Sequence, residues 1–344
     1  MTRRLHPSTG DSASSMLLAC LLSLSLGTAG CVSLRGSSEE VSYTGTDGVE
    51  LRATLVFPTG RRESFPAVVL FHGAEKGTRK RTAYRMQANL FLERGFAVLL
   101  SDKRGAGESG GSYEATTYAQ LVGDGLAAVD LLKRHQRINA KRIGLVGVSE
   151  SGWLTPEIAA RSGAVAFVIN KVGAAVSVRE TIEWEVFNDL MAEGVGEDSA
   201  RQQAAIFRRI WEYRITPTPE ERAALERVLG DWAQRNDSQL PTELREVSAS
   251  YVADIAYDPT PFLEQLDIPM LYVYGSEDIN IPTAVCVARL EELAAAGKPF
   301  ELYVYEGEGH ELGGPRARPP FYGFVDGYAE LLGDFAERHA AAAP

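Results

Sequence analysis

The stretch Gly147-Val148-Ser149-Glu150-Ser151-Gly152 decides the fold, because an apolar run ends here and a helical pattern begins. The run before it, 142–148, is long enough for a buried strand and too short for a helix. The stretch after it, 153–161, favours a helix. Ser149 is therefore predicted to lie on a sharp corner between a strand and a helix.

A serine on such a corner presents its hydroxyl above the sheet, provided that the residues two before and two after it are small. These residues are Gly147 and Ser151, whereas the usual pattern has glycine in both places. A register centred on Ser151 would put Trp153 at a small position, where an indole does not fit. Ser149 is the favoured nucleophile, with an ordinary turn serine as the alternative, and Ser151→Gly is expected to preserve activity.

A nucleophilic serine needs a base that removes its proton and an acid that orients the base. Of the five histidines, His310 follows a strand-like run and a glycine loop, which favours a place over the sheet edge. Asp278 also comes just after a strand-like run, with the adjacent Glu277 as the competing acid. The order Ser149, Asp278, His310 is that of the hydrolase triad in α/β proteins.

Catalysis by such a serine also needs N–H donors for the oxyanion that forms on the substrate. The amide of Glu150 directly follows the serine and is the first candidate. The second is expected in the loop 71–77, where Ala74 is favoured and Glu75 is the alternative. His72 in the same loop is expected to be structural.

Continuous apolar runs alternate with helical patterns along most of the chain, which predicts an α/β fold with a mostly parallel twisted sheet and helices on both faces. The segment 177–257 is helical in pattern and lacks a strand-like run. We expect it to be a helical cap inserted into a core formed by 39–176 and 258–344. The chain is predicted to end with a helix from about residue 321.

The N-terminal segment 1–30 resembles an export signal, followed by a linker at 31–38. Thr28-Ala29-Gly30-Cys31 resembles a lipobox, so Cys31 is the expected lipidation site, with plain secretion or an uncleaved anchor as alternatives. The expected location is the periplasm or cell envelope. Membrane contact is expected only through this lipid anchor.

Charge and cysteine content narrow the classes of partner. The formal net charge of −11 argues against nucleic acid. Cys286 is the one cysteine outside the leader region, so the mature domain has no internal disulfide and Cys286 is expected to be buried.

Five motifs in order make the chain similar to the α/β-hydrolase superfamily over residues 45–340, and above all to exported bacterial esterases and serine aminopeptidase-like hydrolases with a helical cap. The motifs are Phe71-His72-Gly73, the loop 101–109, the Ser149 corner, Gly275 to Asp278, and Gly309-His310. In the loop 101–109, Arg104 is expected to pair with nearby carboxylates.

The resemblance implies the α/β-hydrolase fold and a serine hydrolase that cleaves carboxylic esters through an acyl-enzyme, without metal or organic cofactor. Exopeptidase or thioesterase activity, and a non-catalytic binding protein, remain alternatives. The expected partner is a small ester or a short peptide, and the oligomeric state stays open.

Two groups of residues in the predicted cap bear on specificity. A peptidase would need a carboxylate for the substrate α-amine, and the candidates are Glu180, Glu183, Glu185 and Asp189. The cap aromatic residues are expected to pack the cap on the core, with an apolar substrate pocket as the alternative; they are Trp184, Phe187, Trp211, Tyr213 and Trp232.

Overall fold

Eight strands join in one sheet in the structure, a computed structural model that describes residues 32–314 and 323–342. The strands are β1 (Gly36–Thr44), β2 (Glu50–Pro58), β3 (Phe65–Leu70), β4 (Ala97–Ser101), β5 (Ile138–Val148), β6 (Val165–Lys171), β7 (Met270–Gly275) and β8 (Phe300–Tyr305). The helices are α1 (Thr82–Glu93), α2 (Tyr118–Arg134), α3 (Ser151–Ser162), α4 (Val178–Ala192), α5 (Glu197–Ile215), α6 (Pro219–Trp232), α7 (Ala249–Ile255), α8 (Thr260–Gln265), α9 (Thr283–Ala295) and α10 (Tyr328–Ala342).

The sheet order is β1-β2-β4-β3-β5-β6-β7-β8. Strand β2 pairs antiparallel with both β1 and β4, and all other neighbours are parallel. The predicted mostly parallel α/β fold is therefore confirmed. The hairpin between β1 and β2 turns through Gly48, whose φ of 86° is the left-handed conformation that glycine adopts at little cost.

The central strands are buried on both faces, which explains their continuous apolar sequences. Every residue of β7 is buried, and so are all residues of β4 except Ser101 at its end. Helices cover both faces, since one apolar core contains residues of α2 and α3 while a second contains residues of α1 and α10. Carboxyl ends of parallel strands meet at one edge of such a sheet, which is where ligands bind.

Helices α4 to α8 lie between β6 and β7 in the chain, although these two strands are neighbours in the sheet. The chain thus leaves the sheet after β6 and returns to the next position. Helix α4 begins at a capping box in which the Ser177 hydroxyl and the Glu180 side chain bond each other's backbone N–H groups. Trp211 and Trp232 are buried in the core, as expected, whereas Trp184 is 36% exposed.

The last helix differs from the sequence expectation, because α10 begins at Tyr328 and not near residue 321. Gly327 has a φ of 83°, a left-handed conformation that cannot extend an α-helix toward the N-terminus. Residues 1–31, and with them Cys31 and the predicted signal, lie outside the described residues. In the part of the chain that is described, no helix is both long enough and apolar enough to cross a membrane.

Helix α3 and the end of β6 approach each other closely at two glycines. A Cβ atom on Gly152 would lie 2.3 Å from Cα of Gly173, a distance that real Cβ atoms do not tolerate. Backbone meets backbone here, so no flexible side chain can move aside. The contact fixes how near the Ser149 corner lies to the neighbouring strand.

Gly152→Ala is expected to lower the free energy of unfolding by at least about 1–3 kcal/mol, because the added methyl group overpacks this contact. Urea unfolding measures the change. Gly230→Ala in α6 is the matched control: its Cβ would meet open space, and alanine stabilises a helix interior by up to about 1 kcal/mol. A Gly152→Ala protein as stable as the parent would contradict the packing described here.

Candidate active site

Ser149 sits on the corner between β5 and α3 with a φ of 52°, a left-handed backbone conformation that is rare for a residue with a side chain. Such a conformation costs about 1–3 kcal/mol and persists only where the surroundings impose it. Two hydrogen bonds do so: the Ser149 N–H donates to Lys171 O at 2.9 Å, and Gly152 N–H donates to Ser149 O at 2.7 Å. The corner therefore has the strained geometry that the sequence predicts.

The structure brings Ser149, His310 and Asp278 together from the ends of three strands, β5, β8 and β7. His310 Nε2 lies 3.0 Å from Ser149 Oγ, and His310 Nδ1 lies 2.8 Å from Asp278 Oδ2. A carboxylate on Nδ1 favours the tautomer with its proton there, which leaves Nε2 free to accept the serine proton.

Asp278 is held rigidly for this contact. Its side chain is fully buried, and Oδ1 accepts the N–H groups of Asn280 at 2.8 Å and Ile281 at 3.0 Å. The other oxygen is thereby left to His310. Glu277, the competing acid, is exposed, so of the two adjacent acids only Asp278 is placed against the imidazole.

The loop 71–77 reaches the serine, since a Cβ on Gly73 would lie 3.4 Å from Cβ of Ser149. The N–H of Gly73 is already used, because it donates to the Tyr84 hydroxyl at 2.8 Å. Ala74 and Glu75 remain as the candidates in this loop for a donor to the substrate. Glu150, the other candidate, directly follows Ser149.

His72 and Arg104 have the structural surroundings that the sequence predicts. The His72 ring is buried, with Nε2 2.7 Å from Ser101 O, and burial lowers its pKa to about 4, so it is neutral near pH 7. Arg104 Nε donates to Asp124 at 2.9 Å, and Nη1 donates to Asp47 at 2.6 Å. Both side chains therefore bond within the protein.

Three polar residues around the site were not predicted to act there. Ser151 Oγ accepts Val148 N–H at 2.7 Å, so the serine in the glycine position bonds the corner itself. Lys171 Nζ donates to Glu311 O at 2.7 Å, next to His310, and Lys103 contacts Glu150. Lys103 belongs to the loop 101–109, but no sequence pattern indicates what either lysine contacts, because their contacts join loops far apart in the chain.

The structure gives different surroundings to the four acidic residues that are candidates for binding a substrate α-amine. Glu180 belongs to the capping box, and Glu183 pairs with Arg208 at 3.4 Å. Within the described ranges, neither Glu185 nor Asp189 lies within 4 Å of a basic side chain. Burial raises the pKa of Glu185 to about 8, with further contributions from the carboxylates of Asp189 and Asp278.

A mostly parallel sheet with a serine at such a strand-to-helix corner defines an α/β hydrolase. The family model described as X-Pro dipeptidyl-peptidase (S15 family) matches residues 47–308, and the chain belongs to this family. The expected membership of the α/β-hydrolase superfamily is thereby confirmed.

Three similar proteins share 18–30% sequence identity with this chain. A solved esterase from Pyrococcus furiosus superposes with a TM-score of 0.56 at 18% identity, over 91% of this chain and 98% of that one. Thiohydrolase aneE of Aspergillus aculeatus is 30% identical over 47% of this chain and 48% of its own. Esterase EstD of Thermotoga maritima is 26% identical over 63% of this chain and 47% of its own. The chain spans about a third to a half of the first curated relatives it matches.

Ser151→Gly is expected to lower the free energy of unfolding by about 1 kcal/mol, because the partly buried N–H of Val148 loses its acceptor. Hydrolysis per folded molecule should stay within a few-fold of the parent, since glycine is the usual residue here. Urea unfolding and turnover on a p-nitrophenyl ester measure the two effects. Ser151→Ala, which lacks only Oγ, should show the same loss of stability; a parental stability for both would exclude the hydrogen-bond role.

Proposed function

We propose that the protein is a carboxylesterase in which Ser149 is the nucleophile, His310 the general base and Asp278 the acid that orients it. The observation that carries the proposal is the position of His310, whose two ring nitrogens lie 3.0 Å from Ser149 Oγ and 2.8 Å from Asp278 Oδ2. This is the arrangement that nucleophilic catalysis by a serine requires.

In the proposed reaction, His310 Nε2 takes the proton of Ser149 as Oγ attacks the ester carbonyl. The N–H groups of Glu150 and Ala74 stabilise the oxyanion. His310 then protonates the departing alcohol, which leaves an acyl-enzyme on Ser149. Water then attacks the acyl carbonyl while His310 takes its proton; the bond to Ser149 Oγ breaks, His310 returns the proton to Oγ, and the acid is released. Asp278 stays ionised and stabilises the imidazolium that forms twice in each cycle.

The same three residues could also hydrolyse amides and thioesters. The leaving group of the substrate must therefore be inferred from the relatives and from the residues around the site. Two relatives are called esterases and one a thiohydrolase, whereas the family name refers to a peptidase. We favour esters. Aminopeptidase-like activity is the second candidate, because Glu185 is a partly buried carboxyl without an ion-pair partner among the described residues, and a bound α-ammonium group would favour its ionised form.

We also propose that the protein is exported and anchored through a lipid on Cys31. The support is the sequence 1–31 alone, with its two arginines, apolar run and lipobox-like end. One acylated cysteine would tether the hydrolase to a membrane surface without inserting it.

Ser149→Ala should reduce hydrolysis of p-nitrophenyl butyrate by at least about a thousandfold, since the reaction loses its nucleophile. Burst and steady-state kinetics of the chain without residues 1–30 measure this. Ser42→Ala, at an exposed serine of β1, is the control and should match the parent. An active Ser149→Ala protein would refute the proposed mechanism, and labelling of the parent by a fluorophosphonate separates catalysis from mere binding.

Glu185→Gln should stabilise the protein at alkaline pH and leave it unchanged near pH 4. The pKa of Glu185 is raised from 4.5 to about 8, so its protonated form supports the fold. That stability is present below pH 4.5 and is lost as pH rises through 8. Melting temperatures between pH 4.5 and 9 test the effect.

The same variant also decides between the two substrate classes. If Glu185 binds an α-amine, Glu185→Gln raises KM for an aminoacyl p-nitroanilide at least about tenfold and leaves p-nitrophenyl butyrate unaffected. Equal kinetics of parent and variant on both substrates would remove the aminopeptidase candidate. Glu183→Gln, at the acid that pairs with Arg208, is the matched control.

A further inference from the structure

Lys103 reaches from the loop after β4 to both parts of the proposed oxyanion site. Its Nζ donates to Gly73 O at 2.9 Å and to Glu150 Oε2 at 2.5 Å. The side chains of the lysine and of Glu150 are only 9% and 14% exposed, so solvent hardly screens this pair. One ammonium group thus joins the residue after the nucleophile to the loop opposite it.

The contact with Gly73 O has a consequence for Ala74, because the two residues share one peptide group. A trans peptide is planar, and its C=O and N–H point in opposite directions. When Lys103 holds Gly73 O, it fixes the direction of the Ala74 N–H as well. A positive charge on the carbonyl oxygen also polarises the peptide, which strengthens the N–H as a donor.

Tyr113 holds the next peptide in the same way. Its hydroxyl donates to Ala74 O, and its ring centroid lies 5.4 Å from Lys103 Nζ. The backbone adds a third link, since Lys103 N–H donates to Gly77 O at 3.0 Å. The loop 71–77 is therefore held from one side by Lys103 and Tyr113.

Stability alone does not account for the pair of Lys103 and Glu150. Desolvating two charges costs several kcal/mol per ion, and apolar residues often replace such pairs at no loss of stability. A role in setting the distance between two N–H donors does explain the pair of Lys103 and Glu150, because a displacement of about 1 Å in a catalytic group lowers the rate about a hundredfold.

We propose that Lys103 is a positioning residue for the oxyanion site: it fixes the Gly73–Ala74 peptide and ties it to Glu150, so that the Ala74 and Glu150 N–H groups hold a set separation. The proposal rests on the proposed function and deepens it. The competing explanation is that Lys103 only neutralises the carboxylate of Glu150.

Measuring kcat and KM of Lys103→Met on p-nitrophenyl butyrate distinguishes positioning of the oxyanion site from neutralisation of the Glu150 charge. We expect kcat to fall about a hundredfold with KM within roughly threefold, because the oxyanion exists only in the transition state. The affinity for a trifluoromethyl ketone, which forms an oxyanion on Ser149, should fall by the same factor. Lys76→Met is the matched control, since Lys76 also lies over the Tyr113 ring but pairs with the exposed Glu114.

The double variant Lys103→Met with Glu150→Gln removes both charges, so it tests the proposal even if the single variant folds poorly. A double variant that stays about a hundredfold slow with a parental melting temperature supports positioning. Parental kcat in the double variant, or in Lys103→Met itself, overturns it. The failure of the proposed function is a different result, namely hydrolysis by the parent that Ser149→Ala does not remove.

Discussion

The left-handed backbone of Ser149 is the constraint on which the rest of the site depends. The chain must reverse within one residue of β5, and it does so beside β6, whose last residue accepts the Ser149 N–H. Gly152 and Gly173 let α3 come close enough for this reversal. Because β5 lies between β3 and β6 in the middle of the sheet, the strand that leads to the strained residue cannot shift without disturbing the core.

The position of the other site residues follows from the sheet. Parallel strands place their carboxyl ends at one edge, so the loops after β5, β7 and β8 meet although Ser149 and His310 are 161 positions apart. The sequence predicts this meeting because Ser149, Asp278 and His310 each lie within five residues of the end of a strand-like run. The choice between the adjacent acids Asp278 and Glu277 depends on the direction in which each side chain points, and the structure shows that Asp278 faces His310.

Contacts between loops are what sequence reasoning could not find. The sequence does not indicate the contacts of Lys103 and Lys171, because their partners are backbone carbonyl groups or an acid far along the chain. The hydrogen bond of Ser151 could not be predicted either. The corner motif requires only a small residue at this position, whereas the Ser151 hydroxyl also accepts the Val148 N–H. The start of α10 at Tyr328 depends on a single left-handed glycine.

The order of Ser149, Asp278 and His310 in the chain affects when the site is complete, because these residues emerge from the ribosome in that order. A nascent chain that extends through β6 already contains both strands that flank the serine corner, yet β7 and β8 follow only after the helices α4 to α8. The imidazole of His310 comes after β8, which among the described residues is an edge strand paired with β7. In the proposed mechanism Ser149 therefore lacks its base until β8 docks, and the hydroxyl of an incompletely folded chain is no more reactive than that of any other serine.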